Sequence, residues 1–368
     1  MSAPGHVPAL TLRAVDARLV QVPMRRPLHT SAGRMTHAPL ALLDVHTEQG
    51  ITGRSYLFCY LEPVGRAVLA LTREVAGALV GLSAQPAALR RVLTARYKLA
   101  GVGGPIAGLL AGLDMACWDA LAIAAQLPLV RLLGADPRPV PAYNSNGLGP
   151  AATETVAAEA AELAAEGMAA VKLRLGRTVP EDDRDAVEAV RRALPRDVAI
   201  MADYNQALDL PSARQRCGQL DELGLTWIEE PIRHDDYTGA AELTAELRTP
   251  IQIGENFAGP RAMSTALASR ASDLVMPDVD RIGGVTGWLQ AAALADVAAI
   301  PMSNHLYPEI STHLLAATPT AHWLEYVDWA APVLREPLDV TTGAATPPDR
   351  PGTGIEWDEE AVARYRLA

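Results

Sequence analysis

Three acids in this chain stand at equal spacing: Asp203, Glu229 and Glu255 follow one another at intervals of 26 residues. Each closes an apolar run of strand type, in MADYN (201–205), WIEEP (227–231) and IGEN (253–256). Such an interval is about one strand, one helix and two loops of a β/α repeat, so the three carboxylates arrive at successive strand ends and converge. Three hard oxygen ligands at one point suit Mg2+, which keeps its remaining positions for water or substrate. Lys172 and Arg174 lie two apart on an earlier strand and project to one face. In a closed sheet that face is the interior, where a lysine needs a partner or a function. The plainer alternative is a strand-end pair reaching solvent.

Asp278, in MPD, and His305, in SNH, come on later neighbouring strands. An Asp one strand before a His orients the imidazole and raises its basicity, which makes a general base near neutral pH. A His alone at a strand end is more often a satisfied polar residue. Glu325 ends the next run, HWLEYV, with a barrel-floor ion pair as the alternative. Assembled, these groups suit proton abstraction next to a carboxylate. The ion binds the substrate carboxylate and stabilises the enediolate left when the α-proton departs to a base on one face.

The elements that must position these residues alternate regularly. Strand AAVKLRL precedes helix EDDRDAVEAVRRAL, and VAIMADY precedes LPSARQRCGQLDELG. LTWIEE, IQIGE, SDLVMPD and AIPMSNH are each followed by a helical segment, and HWLEYV closes the series. Strands alternating with 10–15-residue helices mean a parallel sheet, and functional residues at each strand end fit a barrel better than an open sheet. Upstream, residues 9–60 read as antiparallel strands, two of them around Glu48-Gln49-Gly50. PLHTSAGRMTHAP (27–39) has loop chemistry and is expected to be a lid, with a plain surface loop as the alternative. Residues 64–133 are helical, and Asp114 and Asp119 in the apolar stretch PIAGLLAGLDMACWDALAIAAQ are expected to be satisfied core or cap acids. The proline-rich GADPRPVPAY (134–143) is placed at a domain junction.

Composition narrows the partners. With 43 acids against 32 basic residues and a net charge of −11, nucleic acid is not an expected partner. Cys59, Cys117 and Cys217 have no metal-ligand spacing and fit buried thiols in a reducing compartment. The start MSAPGHVPAL lacks a signal pattern, and no uncharged apolar run reaches the ~18 residues of a membrane span. A cytoplasmic protein with no membrane partner is expected.

The ordered motifs DYNQ (203–206), WIEEP, GEN, MPD, IGGVTGW (282–288), PMSNHL (301–306), EISTHLLAATPTAHWLE (309–325) and SYLF (55–58) span nearly the whole chain. In them the sequence resembles the enolase superfamily, specifically its mandelate racemase subgroup. The resemblance implies an α/β fold: a modified (β/α)7β TIM-type barrel with an α+β capping domain made from both chain ends. It divides the chain into a cap with its lid (1–135), the barrel (136–328) and a tail packing on the cap (329–368). It implies that Asp203, Glu229 and Glu255 are the magnesium ligands and that His305 with Asp278 is the base of one substrate face. Lys172 would sit beside the substrate carboxylate, Glu325 would hydrogen-bond the enediolate opposite the ion, and Asn205 would lie near the carboxylate.

One departure changes the expected outcome. Mandelate racemase has Lys-x-Lys where this chain has Lys172-Leu173-Arg174. Arginine stays protonated and is a poor base, so a two-base racemisation loses its second base. The expectation is a one-base, Mg-dependent lyase that dehydrates acid sugars, with a racemase or epimerase of 2-hydroxy acids as the alternative. Arg174 would then hold a substrate carboxylate or distal hydroxyl, and Arg34 and His37 on the polar lid, with Tyr56, would line the substrate pocket. A non-catalytic metal- and ligand-binding barrel is the rival from another class. A small carboxylate is the expected partner, and a homo-oligomer the expected assembly.

Overall fold

Alternating apolar positions near the start of the chain build an antiparallel sheet of three strands, β1 (Leu12–Thr30), β2 (Gly33–Thr47) and β3 (Thr52–Phe58), in that order. The computed structural model describes residues 9–31 and 33–367. The first eight residues of the stretch read above for a targeting signal lie outside them.

The β1–β2 hairpin corrects one expectation. Residues 27–39, read as a loop, are paired strands up to the tip: Leu28 faces Met35, His29 faces Arg34 and Thr30 faces Gly33. Small polar residues look like loop chemistry in sequence, yet their backbones satisfy one another across the hairpin. Besides a shift between Leu12 and Ala14, the ladder breaks its register between Pro23 and Leu28, where Pro23 and Pro27 supply no N–H. The tip is therefore a jointed extension of the sheet.

Four helices follow: α1 (Glu62–Leu79), α2 (Pro86–Arg96), α3 (Gly104–Ala124) and the short α4 (Leu129–Leu132). Helix α3 is long and apolar enough to cross a membrane by composition, but 78% of it is buried inside the protein. It lies so close on β3 that a Cβ on Gly53 would overlap the Ala116 carbonyl oxygen. Its two acids are satisfied, as expected. Asp114 accepts from the Thr286 N–H (2.9 Å) and hydroxyl (2.5 Å), and Asp119 from the N–H groups of Arg54 (2.8 Å) and Thr353 (2.6 Å).

The second body is a closed parallel barrel. Its strands β4 (Val140–Asn144), β5 (Ala170–Arg174), β6 (Ala199–Asp203), β7 (Ile228–Glu229), β8 (Ile251–Ile253) and β9 (Leu274–Val275) pair in chain order, and β10 (Leu324–Tyr326) returns to β4. Single bridges from Val275 to Met302, Asp278 to His305 and Met302 to Ala321 carry segment 302–305 through the remaining place. The expected strand AIPMSNH is thus present as isolated bridges. Helices α5 (Thr153–Ala165), α6 (Pro180–Ala193), α7 (Leu210–Leu220), α8 (Tyr237–Glu246), α9 (Pro260–Ala268), α10 (Gly284–Val297) and α11 (Pro308–Ala316) alternate with the strands. This is the modified (β/α)7β barrel.

Its first unit, β4 and α5, falls where the sequence was read as a junction. The expected junction GADPRPVPAY runs into β4, and its Pro141 sits near the strand start, before parallel pairing begins at Ala142. After Asp328 the chain adds β11 (Ala344–Ala345) antiparallel to β4 and ends in α12 (Glu359–Tyr365). Trp357 donates its indole N–H to Asp44 (2.8 Å), and Arg366 bridges to Val20, so the tail reaches the three-stranded sheet.

Candidate active site

Strand ends place the chemistry. Asp203 is the last residue of β6 and Glu229 the last of β7, Glu255 lies just beyond β8, and Asp278 and His305 are bridged beyond β9. Lys172 and Arg174 both point into the barrel, 1% and 4% exposed. The Lys172 ammonium lies 2.7 Å from Glu229 Oε1, 2.8 Å from Glu325 Oε1 and 3.2 Å from Asp203 Oδ2. Burial alone would drive off its proton, but the carboxylates of Glu229 and Glu325 outweigh that and hold its pKa well above the usual lysine range.

The His305–Asp278 pair is formed: Nδ1 lies 2.7 Å from Asp278 Oδ2. The other Asp278 oxygen accepts from the N–H groups of Asp280 (2.7 Å) and Arg281 (3.2 Å), which fixes the carboxylate. Nε2 of His305 faces the acids, 3.2 Å from Glu255 Oε2. Burial lowers the imidazole pKa, but Glu255, Glu325 and the bond to Asp278 raise it further, to about 9.

A cavity of about 480 Å³ opens over these groups. Lys172, Arg174, Asp203, Asn205, Glu255, His305 and Glu325 line it, and the hairpin tip roofs it.

Two family models match the chain: "Mandelate racemase / muconate lactonizing enzyme, N-terminal domain" over residues 14–134 and "Enolase C-terminal domain-like" over 155–361. The chain belongs to the enolase superfamily. Its group there is that of mandelate racemase and muconate lactonizing enzyme. L-talarate/galactarate dehydratase of Salmonella typhimurium is 30% identical over 89% of this chain and 82% of its own length. An enolase from Bradyrhizobium, solved with magnesium and mandelic acid, superposes with a TM-score of 0.90 at 40% identity, covering 99% of this chain and 100% of its own. An enolase from alpha pretobacterium bal199 with bound magnesium superposes at 0.95 with 45% identity, over 97% of this chain and 100% of its own. Other relatives of the superfamily are named cycloisomerases, dehydratases and racemases.

The acid cluster of this superfamily member fits a small divalent cation by its chemistry. Burial first, then the charge of Asp203, pushes Glu229 above the usual carboxylate range, and burial with Glu255 does the same to Glu230. Among the described residues, two buried oxygens in the cluster, Asn205 Oδ1 and Glu230 Oε1, accept no hydrogen bond. Among the described residues no three acids are drawn to the spacing of one ion's ligands, because the ammonium of Lys172 occupies the gap between Asp203 and Glu229.

Other expectations meet a different geometry. Arg174 is engaged by the loop after β4, donating to the carbonyls of Ser145 (3.1 Å) and Gly147 (2.8 Å) and to the Ser145 hydroxyl (3.1 Å). Glu325 accepts from Lys172 and from the Leu306 N–H (2.8 Å), and these bonds hold it ionised against its burial. Asn205 donates through backbone and amide to Asp203 (2.7 and 2.9 Å), with its own φ at 45°. Arg34 lines the cavity. Tyr56 and His37 do not: the Tyr56 hydroxyl donates to Glu309 (2.6 Å) behind the site, and exposed His37 pairs with Thr36 on the hairpin. The tip brings Leu28, Thr30, Gly33, Arg34 and Met35 to the cavity, so apolar and polar groups share that wall.

Sequence reasoning missed Tyr60, Gln206, Asn256, Arg281 and Trp329, which also line the cavity. The available signal was a basic residue in the turn MPDVDRIGG, three positions after the acid of the base pair.

Proposed function

We propose that this enzyme abstracts the α-proton of a 2-hydroxy carboxylate with His305 and then expels the β-hydroxyl, dehydrating an acid sugar. The observation that carries the reading is the single base. His305 is oriented by Asp278 with Nε2 toward the acid cluster, while Arg174, opposite, is bound to Ser145 and Gly147 and is no base. Magnesium, held by Asp203, Glu229 and Glu255, would supply the positive charge that stabilises the enediolate.

The chain's own residues do the rest. The His305 Nδ1–H stays donated to Asp278, so the imidazolium formed on proton transfer is charge-stabilised where it arises. The proton then on Nε2 is available to the departing hydroxyl, which leaves as water, and the enol product becomes a 2-keto-3-deoxy acid. Lys172, kept charged, meets the substrate carboxylate beside the acids. For Glu325 to donate to the enediolate it must exchange Lys172 for a proton. Asn205 and Arg34 hold polar parts of the substrate. The talarate/galactarate, arabinonate and gluconate dehydratases among the relatives support this outcome.

A library of acid sugars incubated with enzyme and magnesium in D2O tests the proposal. The expected result is a 2-keto-3-deoxy acid from one α-epimer, with neither product nor α-exchange from His305→Asn. Fast exchange of both epimers without elimination would sink the one-base reading.

One observation favours a second reading. Leu28, Met35, Tyr60, Leu61, Leu306 and Trp329 give the cavity an apolar wall, and the Bradyrhizobium relative binds mandelic acid. An aryl 2-hydroxy acid would suit that wall, and loss of optical rotation from either mandelate enantiomer would move the assignment to racemase. The proposal also divides the chain at 135/136 and 328/329, and places a homo-oligomer in the cytoplasm. The three buried free thiols support the compartment, and light scattering tests the assembly.

A further inference from the structure

Glu255 is claimed from two sides. As a proposed metal ligand its carboxylate must face the cation, yet Oε2 already lies 3.2 Å from Nε2 of His305, the nitrogen that must be free to take a proton. The structure assigns to Arg281 the task of settling that competition: it is a positioning residue that keeps Glu255 turned to the metal and the base dyad turned to the substrate. The inference rests on the proposed function of the same site.

The contacts of Arg281 join the two halves of the machinery. Its backbone N–H donates to Asp278 Oδ1 (3.2 Å), on the carboxylate that orients His305. Its carbonyl accepts from the Gly259 N–H (3.0 Å), in the loop that follows Glu255. Its guanidinium donates to the Glu255 carbonyl (3.2 Å) and to the Asn256 side-chain oxygen. Asn256 spends its amide group on the acids, donating to Glu255 Oε1 (3.0 Å) and Glu230 Oε2 (2.8 Å). The guanidinium also lies 3.9 Å from Glu255 Oε1, on the side of the carboxylate away from His305. One residue therefore ties the turn after β9, which carries Asp278 of the base pair, to the turn after β8, which carries the third acid.

The arrangement uses properties particular to arginine. A planar fork reaches a backbone carbonyl and a side-chain amide at once, and its face stacks on an aromatic ring. Tyr60 supplies that ring at 5.3 Å, between this cavity and a second one of about 540 Å³ toward the cap helices. A lysine would keep the charge but lose the fork. With the fork lost, Asn256 is released, and Glu255 is left to pair with His305.

The test compares Arg281→Lys and Arg281→Met with the unmodified enzyme, reading magnesium binding by calorimetry without substrate and the pH profile of kcat at saturating magnesium. Both variants should bind magnesium about 10- to 100-fold more weakly, the usual effect of removing a group that orients a ligand. Both should lower kcat at saturating metal and displace the acid limb of the profile, because the turns that set Asp278 and Glu255 around His305 are no longer tied together. Arg281→Lys retains the half-buried cation and so guards against a folding defect in Arg281→Met. Unchanged magnesium affinity and an unchanged pH profile in Arg281→Lys, even with a lower melting temperature, would reduce Arg281 to a structural role and overturn the inference. Glu255→Gln separates the two levels: if it too left magnesium affinity unchanged, the ligand assignment would fail rather than the role of Arg281.

Discussion

Residues in the acid cluster are worth most to function and least to stability. Crowded carboxylates repel, and burial raises that cost. The first prediction concerns Glu255→Gln, which keeps the shape and removes one charge. It should weaken magnesium binding by more than about 10-fold in calorimetry while leaving the melting temperature of the metal-free protein equal or higher. The second concerns Asp278→Asn. Asp278 accepts two backbone N–H bonds and orients His305, and asparagine can keep the first contacts but not the charge. Turnover should fall by a factor on the order of 10², with circular dichroism unchanged. Near-normal turnover would mean that His305 works without its partner.

At the scale of elements, the hairpin is the part that roofs the cavity. Beyond the break in register at Pro23–Leu28, the tip is held to the barrel by Arg26, whose guanidinium reaches Glu159 (3.4 Å), Glu162 (3.1 Å) and Glu166 (3.4 Å) on and just after α5. Arg26 is half-covered by these contacts, so the network is stronger than a lone surface pair. Arg26→Ala should raise KM several-fold, with a smaller effect on kcat, because closure over the bound substrate loses its latch. Equal KM values for variant and parent would show that the tip closes without it. Much of this level was legible: the alternation of strands and helices follows from periodicity, AIPMSNH included although it forms only isolated bridges, whereas β4 was hidden by its prolines.

The whole molecule is joined where α11, α4 and the tail meet at His313. Its Nδ1 accepts from the Val130 N–H (3.2 Å), and Nε2 faces the Thr353 carbonyl at 3.2 Å. Only the neutral ring satisfies both. Burial, with the nearby charge of Arg350, pushes its pKa down from 6.5 to about 4. A folded-state pKa below the unfolded one means that the unfolded chain binds the proton first. Stability is therefore full above pH 6.5 and falls as the pH drops toward 4, by at most about 3 kcal/mol from this group. Asp114 and Asp119 act with the opposite sign, since burial raises both to about 6 and favours their protonated forms as the pH falls. Urea unfolding of His313→Gln against the parent isolates the histidine: the difference in stability between the two should shrink as the pH falls from 6.5 to 4. A constant difference across that window would show that His313 does not titrate on unfolding.

Periodicity along the chain sets the barrel and names its strand-end acids, lysine and histidine. A closed parallel sheet puts every strand end at one mouth, so the 26-residue interval of Asp203, Glu229 and Glu255 already implies convergence. Facing and partnership were decided only in three dimensions. Leu28 and Met35 line the cavity while His37, two residues further along the same strand and past the break in register, does not, because only the tip of the hairpin overlies the cavity. Arg174 is spent on Ser145 and Gly147, Tyr56 on Glu309, and Arg281 joins two strand-end turns, each through partners on other elements. Local periodicity carries the path of the backbone, but a side chain in a turn goes where distant groups satisfy it, and that depends on how the whole chain closes.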